Sequence, residues 1–174
     1  ALTTGTDNVA IGENALDAVT SGADNTAVGD NALGANTTAA NNVAVGSAAL
    51  LVNTTGAGNV AVGTNALDAN TTADDNTSIG YNSLSANSTG ANNVAVGTQA
   101  LQANTTAGSN TALGRQSLVA NTTGASNTAV GTNSMGANTT GTENVAVGAG
   151  ALDATGAGTD GSYNVAVGND ALGA

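Results

Sequence analysis

Few side chains in this sequence could do acid–base or metal chemistry, and nearly all of them are carboxylates. The 174 residues contain 12 Asp and Glu, one Arg (Arg115), and no Lys, His or Cys. Catalysis by paired carboxylates needs a cleft in which one acid is desolvated, and a chain of small side chains offers no such cleft. We therefore expect a protein that is not an enzyme, with no catalytic residue, no cofactor and a surface role for Arg115.

The spacing of four acidic residues raises one metal hypothesis. Asp7 and Asp24 occupy equivalent positions in two successive units of the repeat described below, as do Glu13 and Asp30. Carboxylates stacked on adjacent turns repel each other, and a bound Ca²⁺ would relieve the repulsion. The sequence has neither an EF-hand loop nor the calcium-binding nonapeptide repeat. We expect solvated corner residues and no metal site, with Ca²⁺ binding as the alternative.

Charge and hydropathy exclude two classes of partner. The net charge is −11, and nucleic-acid binding needs clustered Lys and Arg to contact phosphates. The same charge disfavours an anionic membrane surface, and no apolar run approaches the length of a membrane span. We expect no nucleic-acid partner and no membrane contact from this segment.

The dominant feature of the sequence is a repeat of the pattern N-[VT]-[AS]-[VIL]-G. We number each unit from the Asn of this pattern, which is position 1. Position 5 is always Gly, and position 9 is Leu except at Met135. The units recur with a period of about 17 residues, and no linker interrupts the array, which indicates a single repetitive domain over residues 1–174. The units begin at Asn8, Asn25, Asn42, Asn59, Asn76, Asn93, Asn110, Asn127, Asn144 and Asn164, and only the last of these intervals is longer than the rest.

Each unit predicts one coil of an all-β parallel β-roll, or β-solenoid. Residues 93–96 alternate with period two, as in a short strand, and Gly97 supplies a turn. Residues 100–103 predict a second strand, with positions 9 and 11 pointing inward, and residues 104–106 (Asn-Thr-Thr) predict a corner held by side-chain to backbone hydrogen bonds. About ten coils of about 17 residues, each about 4.8 Å from the next, give a rod about 48 Å long.

The first strand carries no charge on either of its faces, and one face must lie outside the coil. An uncharged strip along a whole rod indicates an interaction surface. The sequence does not decide whether position 3 or position 4 faces outward, so both positions supply interface candidates, together with position 2. The candidate oligomer-interface residues are Val9, Val43, Ala61, Val62, Val94, Ala95, Val96, Ala129 and Val130.

The segments "DNVAIGENAL", "NNVAVGSAAL" and "NNVAVGTQAL" resemble the head repeats of trimeric autotransporter adhesins, the YadA-like head. The resemblance implies a left-handed roll and a homotrimer packed around a common axis. It also implies an adhesive role on a cell surface. The family's unit is shorter, whereas this chain adds the Asn-Thr-Thr corner, as similar rolls of phage tail fibres and other surface fibres do. We therefore expect the head or shaft of an extracellular adhesin, surface fibre or virion tail fibre, with an unidentified surface ligand. The alternative is a subunit of a self-assembling extracellular filament or matrix.

The Asn-Thr-Thr corner supports two further hypotheses. Its sequence matches the N-glycosylation acceptor pattern, although the chemistry of Asn and Thr turns already accounts for these residues. Rows of Thr also suggest an ice-binding solenoid, but adjacent Thr residues cannot both face one side. The possible glycosylation residues are Asn36, Asn53, Asn70, Asn87, Asn104, Asn121 and Asn138.

The unit at residues 144–163 is three residues longer than the others and lacks the Asn-Thr-Thr corner. We expect the flanking strands to keep register and the surplus to form an outward loop, with Asp160 and Tyr163 as exposed candidates. The chain starts and stops inside a coil, with no polar cap. We therefore expect either a longer array or head-to-tail stacking.

Overall fold

The computed structural model describes residues 4–153 and 161–173. Within this part, ten three-residue strands form one parallel sheet in which each strand pairs with the next along the chain. The register places equivalent residues side by side, as in Val43↔Val60 and Ala44↔Ala61. The all-β solenoid, with one repeat unit in each coil, is thereby confirmed. The strands are β1 (Val9–Ile11), β2 (Thr26–Val28), β3 (Val43–Val45), β4 (Val60–Val62), β5 (Thr77–Ile79), β6 (Val94–Val96), β7 (Thr111–Leu113), β8 (Thr128–Val130), β9 (Val145–Val147) and β10 (Val165–Val167).

Each strand occupies positions 2 to 4. The side chain at position 3 points into the core, and those at positions 2 and 4 point outward. Ala61 at position 3 is fully buried, whereas Val60 and Val62 on either side of it are half-exposed. The strand side of the coil interior is therefore lined by small side chains, which leaves room for larger ones from the opposite side. The backbone ladder is regular: the N–H of Val43 donates to the carbonyl of Asn59, and that of Gly63 to the carbonyl of Val45, both at 2.8 Å.

The predicted second strand at residues 100–103 is wrong. This part of each coil is a series of turns in which Gln99 and Leu101 have left-handed backbone, with φ of 60° and 51°. The N–H of Leu101 still donates to the next coil, to the carbonyl of Ser117 at 3.0 Å. Because left-handed residues reverse the side-chain alternation, positions 8 and 9 point inward together. Position 11, expected inward, is half-buried, as Ala103 shows.

The core is a stack of Leu at position 9 against Ala or Ser at positions 3 and 8. Leu84 and Leu101 have no exposed surface. One unit replaces Ala by Ser at both positions 3 and 8. Ser78 Oγ lies 2.5 Å from Ser83 Oγ and donates to the carbonyl of Ser83 at 2.8 Å. Ser83 Oγ also has a backbone acceptor, the carbonyl of Gly80 at 3.0 Å, so both buried hydroxyls have hydrogen-bond partners, as buried polar groups require.

Two ladders of buried Asn hold the corner. At position 1, the N–H of Asn93 donates to Oδ1 of Asn76 at 3.0 Å, and its Nδ2 donates to the carbonyl of Ala107 at 2.9 Å. At position 12, Nδ2 of Asn104 donates to the same carbonyl at 2.9 Å and to Oδ1 of Asn87 at 2.9 Å. Both ladders therefore join neighbouring coils, and the position-12 ladder runs from Asn53 to Asn138, since the side chain of Asn36 bonds only within its own coil.

The Gly at position 5 ends the strand where neighbouring coils nearly touch. Gly97 has φ of +137°, and a Cβ there would lie 2.4 Å from the carbonyl oxygen of Gly114. Any side chain would therefore be strained in backbone and would collide with the next coil. Within residues 4–153 and 161–173, the fold has no helix that is long and apolar enough to cross a membrane.

Candidate interaction surface

The outward side chains of the ten strands form one continuous surface, which we call the sheet face. It consists of two rows, position 2 and position 4, and the side chain at position 3 between them points into the core. Because the strands stack about 4.8 Å apart, the face extends over about 43 Å. At position 2 the face presents Val9, Thr26, Val43, Val60, Thr77, Val94, Thr111, Thr128, Val145 and Val165. At position 4 it presents Ile11, Val28, Val45, Val62, Ile79, Val96, Leu113, Val130, Val147 and Val167.

The sheet face is uncharged and accessible throughout. Even in the middle of the rod, Leu113 is 47% exposed and Ile79 is 39% exposed. Apart from four Thr hydroxyls at position 2, the two rows present only aliphatic groups. A contiguous apolar surface of this length is uncommon on a soluble monomer, which makes the sheet face the candidate interaction surface.

The structure separates the interface candidates into two groups. Three of them, Ala61, Ala95 and Ala129, have no exposed surface and pack in the core. As interface residues they are wrong, because position 3 faces the interior of a coil too narrow for larger side chains. The remaining candidates lie on the sheet face: Val9, Val43, Val62, Val94, Val96 and Val130.

A third row, at position 6, borders the sheet face immediately after the strand-ending Gly. We call it the rim row, and its residues are exposed in every coil. Tyr81 is 52% exposed. Nη1 of Arg115 donates to Oε1 of Gln116 at 2.7 Å, and among the described residues no carboxylate pairs with it. The rim row comprises Glu13, Asp30, Ser47, Thr64, Tyr81, Thr98, Arg115, Thr132, Ala149 and Asn169.

The Asn residues of the corner are inaccessible in the folded chain. Asn53, Asn70 and Asn121 have no exposed surface, and the same holds to within 1% for the other Asn at position 12. A glycan on Nδ2 would displace the corner hydrogen bonds and could not fit inside the coil. The structure therefore supports the turn interpretation over N-glycosylation at Asn36, Asn53, Asn70, Asn87, Asn104, Asn121 and Asn138.

Only one Thr of each corner pair faces solvent fully. Thr105 at position 13 is half-buried, and its Oγ1 donates to the carbonyl of Thr122 at 3.2 Å. Thr106 at position 14 is exposed. The corner therefore presents a single row of hydroxyls, not the paired rows that the ice-binding hypothesis requires.

The acidic residues are dispersed. Asp7, Asp24, Glu13 and Asp30 are all exposed. Over the described ranges, no three residues of the Asp, Glu, His and Cys types come close enough to hold a metal ion. Burial raises the pKa of Asp68, whose Oδ1 lies buried without a hydrogen-bond partner.

The longer unit behaves as expected where it is described. Strand β10 pairs with β9 in register, with Val165 beside Val145, so the three extra residues do not shift the ladder. Tyr163 is 75% exposed. Asp160 and most of the expected loop lie outside the described residues.

Fold and surface together define the class of protein: a β-solenoid rod with an exposed apolar sheet face. Comparison with protein-family models, curated proteins and solved structures gives no match for this chain. The YadA-like resemblance, with its left-handed coil and its trimer, therefore stays a prediction.

Proposed function

We propose that this chain is a structural and adhesive segment, a head or shaft, of an extracellular fibre on a cell surface or a virion tail. The observation that carries the proposal is the sheet face, which is apolar, uncharged and accessible from β1 to β10. In such a fibre the face is covered by further copies of the chain. The resemblance implies three copies; a self-assembling extracellular filament is the alternative use of the same face.

The mechanism of a rod of this kind is geometric. Coils joined by parallel pairing and by Asn ladders give a stiff spacer whose length grows with each repeat. The exposed Thr at position 14 of the corner recurs in successive coils from Thr38 to Thr140, so weak contacts with a ligand add through multivalency. Neither property needs a cleft, a cofactor or a reactive side chain.

Charged substitutions on the sheet face test the proposal. We expect Val62→Asp, Val96→Asp and Val130→Asp, made together, to leave the fold intact and to dissociate the assembly, because these side chains face outward. A matched control places three Asp on the exposed corner: Thr72→Asp, Thr106→Asp and Thr123→Asp. Circular dichroism reports folding, and size-exclusion chromatography with light scattering reports mass.

The two sets of variants give distinguishable outcomes. The proposal predicts an associated unmodified chain, an associated corner variant and a folded but dissociated face variant. An unmodified chain that stays a folded monomer would refute self-association. An associated face variant would show that copies meet through another surface.

A further inference from the structure

Arg115 is the chain's single cation, and it borders an apolar face without a carboxylate partner among the described residues. Two carboxylates share the rim row with it: Glu13 and Asp30. Asp30 lies five coils away in the same chain, which is about 24 Å at the spacing of parallel strands. No side chain spans that distance, so within one chain Arg115 and Asp30 do not meet. A second copy can bring them together.

Two copies can place their sheet faces together with a twofold axis in either of two directions. If the axis runs along the rod, the copies are parallel, and each coil lies at the height of its own equivalent. If the axis runs along the strands, the copies are antiparallel, and each row faces the same row in reversed order of coils. Both arrangements are isologous, but only the antiparallel one sets the rim row against the rim row.

One antiparallel register pairs eight of the ten rim residues acceptably and leaves Ala149 and Asn169 beyond the contact. Numbering the coils 1 to 10 in chain order, coil 2 of one copy faces coil 7 of the other. Asp30 then faces Arg115, and the twofold axis repeats this ion pair at the other end. The remaining rim pairs are Glu13 with Thr132, Ser47 with Thr98, and Thr64 with Tyr81.

The same register matches large side chains with small ones on the sheet face. At position 4 it sets Ile11 against Val130, Leu113 against Val28, and Ile79 against Val62. Sliding one copy so that Arg115 meets Glu13 instead would place Leu113 on Ile11, which is large against large. Facing surfaces pack best when large and small residues alternate across the contact.

The distribution of charge favours the same orientation. Coils 1 and 2 carry four carboxylates, on Glu13, Asp17, Asp24 and Asp30, whereas coils 7 and 8 carry only Arg115 and Glu143. Parallel packing gathers the acidic coils of every copy at one height, where like charges oppose association. Antiparallel packing sets the acidic coils against the coils that hold the cation.

We infer that the partner of the sheet face is a second copy of this chain running antiparallel, with Arg115 of each copy bound to Asp30 of the other. This inference rests on the self-association proposed above and gives it the geometry of a twofold antiparallel pair, in place of the three copies that the resemblance implies. The contact spans eight coils, or about 34 Å, and is two side-chain rows wide. It is narrow, so we expect a reversible pair that forms at high concentration.

Charge reversal and its rescue test the ion pair. We expect Arg115→Glu or Asp30→Arg alone to weaken dimerisation about tenfold, because each creates two like-charge contacts per dimer. The combined variant should restore most of the loss. Because the residues are about 24 Å apart within one chain, such coupling arises only between copies. The matched control combines Arg115→Glu with Asp74→Arg. It has the same net charge as the combined variant, but it should not restore the affinity that Arg115→Glu removes. Sedimentation equilibrium measures the dissociation constants.

Spin labels report the orientation independently. The chain has no Cys, so Thr72→Cys (coil 4) and Thr123→Cys (coil 7), both exposed, can be labelled singly. Antiparallel packing offsets the paired labels along the rod by about 5 Å at the first site and about 24 Å at the second. Equal label-to-label distances at both sites would overturn the antiparallel inference and leave self-association standing. So would a dimer whose affinity the combined Arg115→Glu and Asp30→Arg variant does not restore. A chain that never associates would refute both.

Discussion

Nδ2 of Asn104 donates to Oδ1 of Asn87 at 2.9 Å, and both side chains are fully buried. The same contact joins Asn121 to Asn104 at 3.0 Å. Residues that match a modification pattern in the sequence are therefore a hydrogen-bonded spine in the fold.

This spine predicts a large cost for removing one of its amides. Asn104→Ala leaves Oδ1 of Asn87 and Nδ2 of Asn121 without their ladder partner inside the coil, so we expect a loss of about 2–4 kcal/mol in the free energy of unfolding. Urea unfolding followed by circular dichroism gives the value. Thr106→Ala, at an exposed position two residues away, should change stability by less than about 0.5 kcal/mol. Similar small losses in both variants would contradict the role of the ladder.

Because the Gly residues at position 5 stack closely, the stability lost on replacing a Gly by Ala should depend strongly on the position of that Gly. We expect Gly97→Ala to destabilise the fold severely, because the added Cβ would lie 2.4 Å from the carbonyl oxygen of Gly114 at a φ of +137°. Gly34→Ala is the control, since its added Cβ would meet no atom closer than 3.3 Å. Thermal unfolding compares the two. If both variants melt together, the close approach of the coils is wrong.

Adjacent residues of one strand should respond oppositely to charge. Ala95→Asp places a carboxylate in a core with no room or partner for it, and we expect no folded protein. Val96→Asp places the same group on the sheet face, and we expect a folded chain. Far-ultraviolet circular dichroism and solubility distinguish them. A folded Ala95→Asp chain would show that position 3 does not face the interior.

Burial raises the pKa of Asp68 above its ordinary value of 3.8. The folded state therefore holds a proton on this carboxyl more tightly than the unfolded chain does. Its contribution favours folding at low pH and is lost as pH rises from about 3.8 through the raised pKa. We expect Asp68→Asn to stabilise the fold more at pH 7 than at pH 3, as measured by melting temperature. Burial, with Asp170 as a further cause, also raises the pKa of Asp153, so Asp153→Asn should behave alike. Equal stabilisation at both pH values would contradict the burial of these carboxyls.

The repeat length and the strand at positions 2 to 4 were predictable from the sequence, because an in-phase array can bury its apolar residues only by stacking. The turns at positions 6 to 11 were not. Leu101 has φ of 51°, a conformation that costs a Leu about 1–2 kcal/mol. No local sequence pattern predicts it. Burial of its side chain between coils stabilises this backbone, which is a tertiary effect.

The sequence did not show which face of the strand points into the coil, because neither face carries charge. Size was the usable signal: position 3 is always Ala or Ser, as the inside of a narrow coil requires, whereas position 4 varies between Val, Ile and Leu. The Asn at position 12 was interpreted by its local motif. It is buried because the corners of successive coils stack on each other, and the sequence of a single unit does not show this stacking.

In the proposed assembly, further copies of this chain cover the sheet face. Sedimentation equilibrium of the unmodified chain over a range of concentrations measures this association, since one chain has a mass of 16.2 kDa. We expect a folded species whose mass is a multiple of that value and falls as the solution is diluted. A folded particle of 16.2 kDa at every concentration would contradict it.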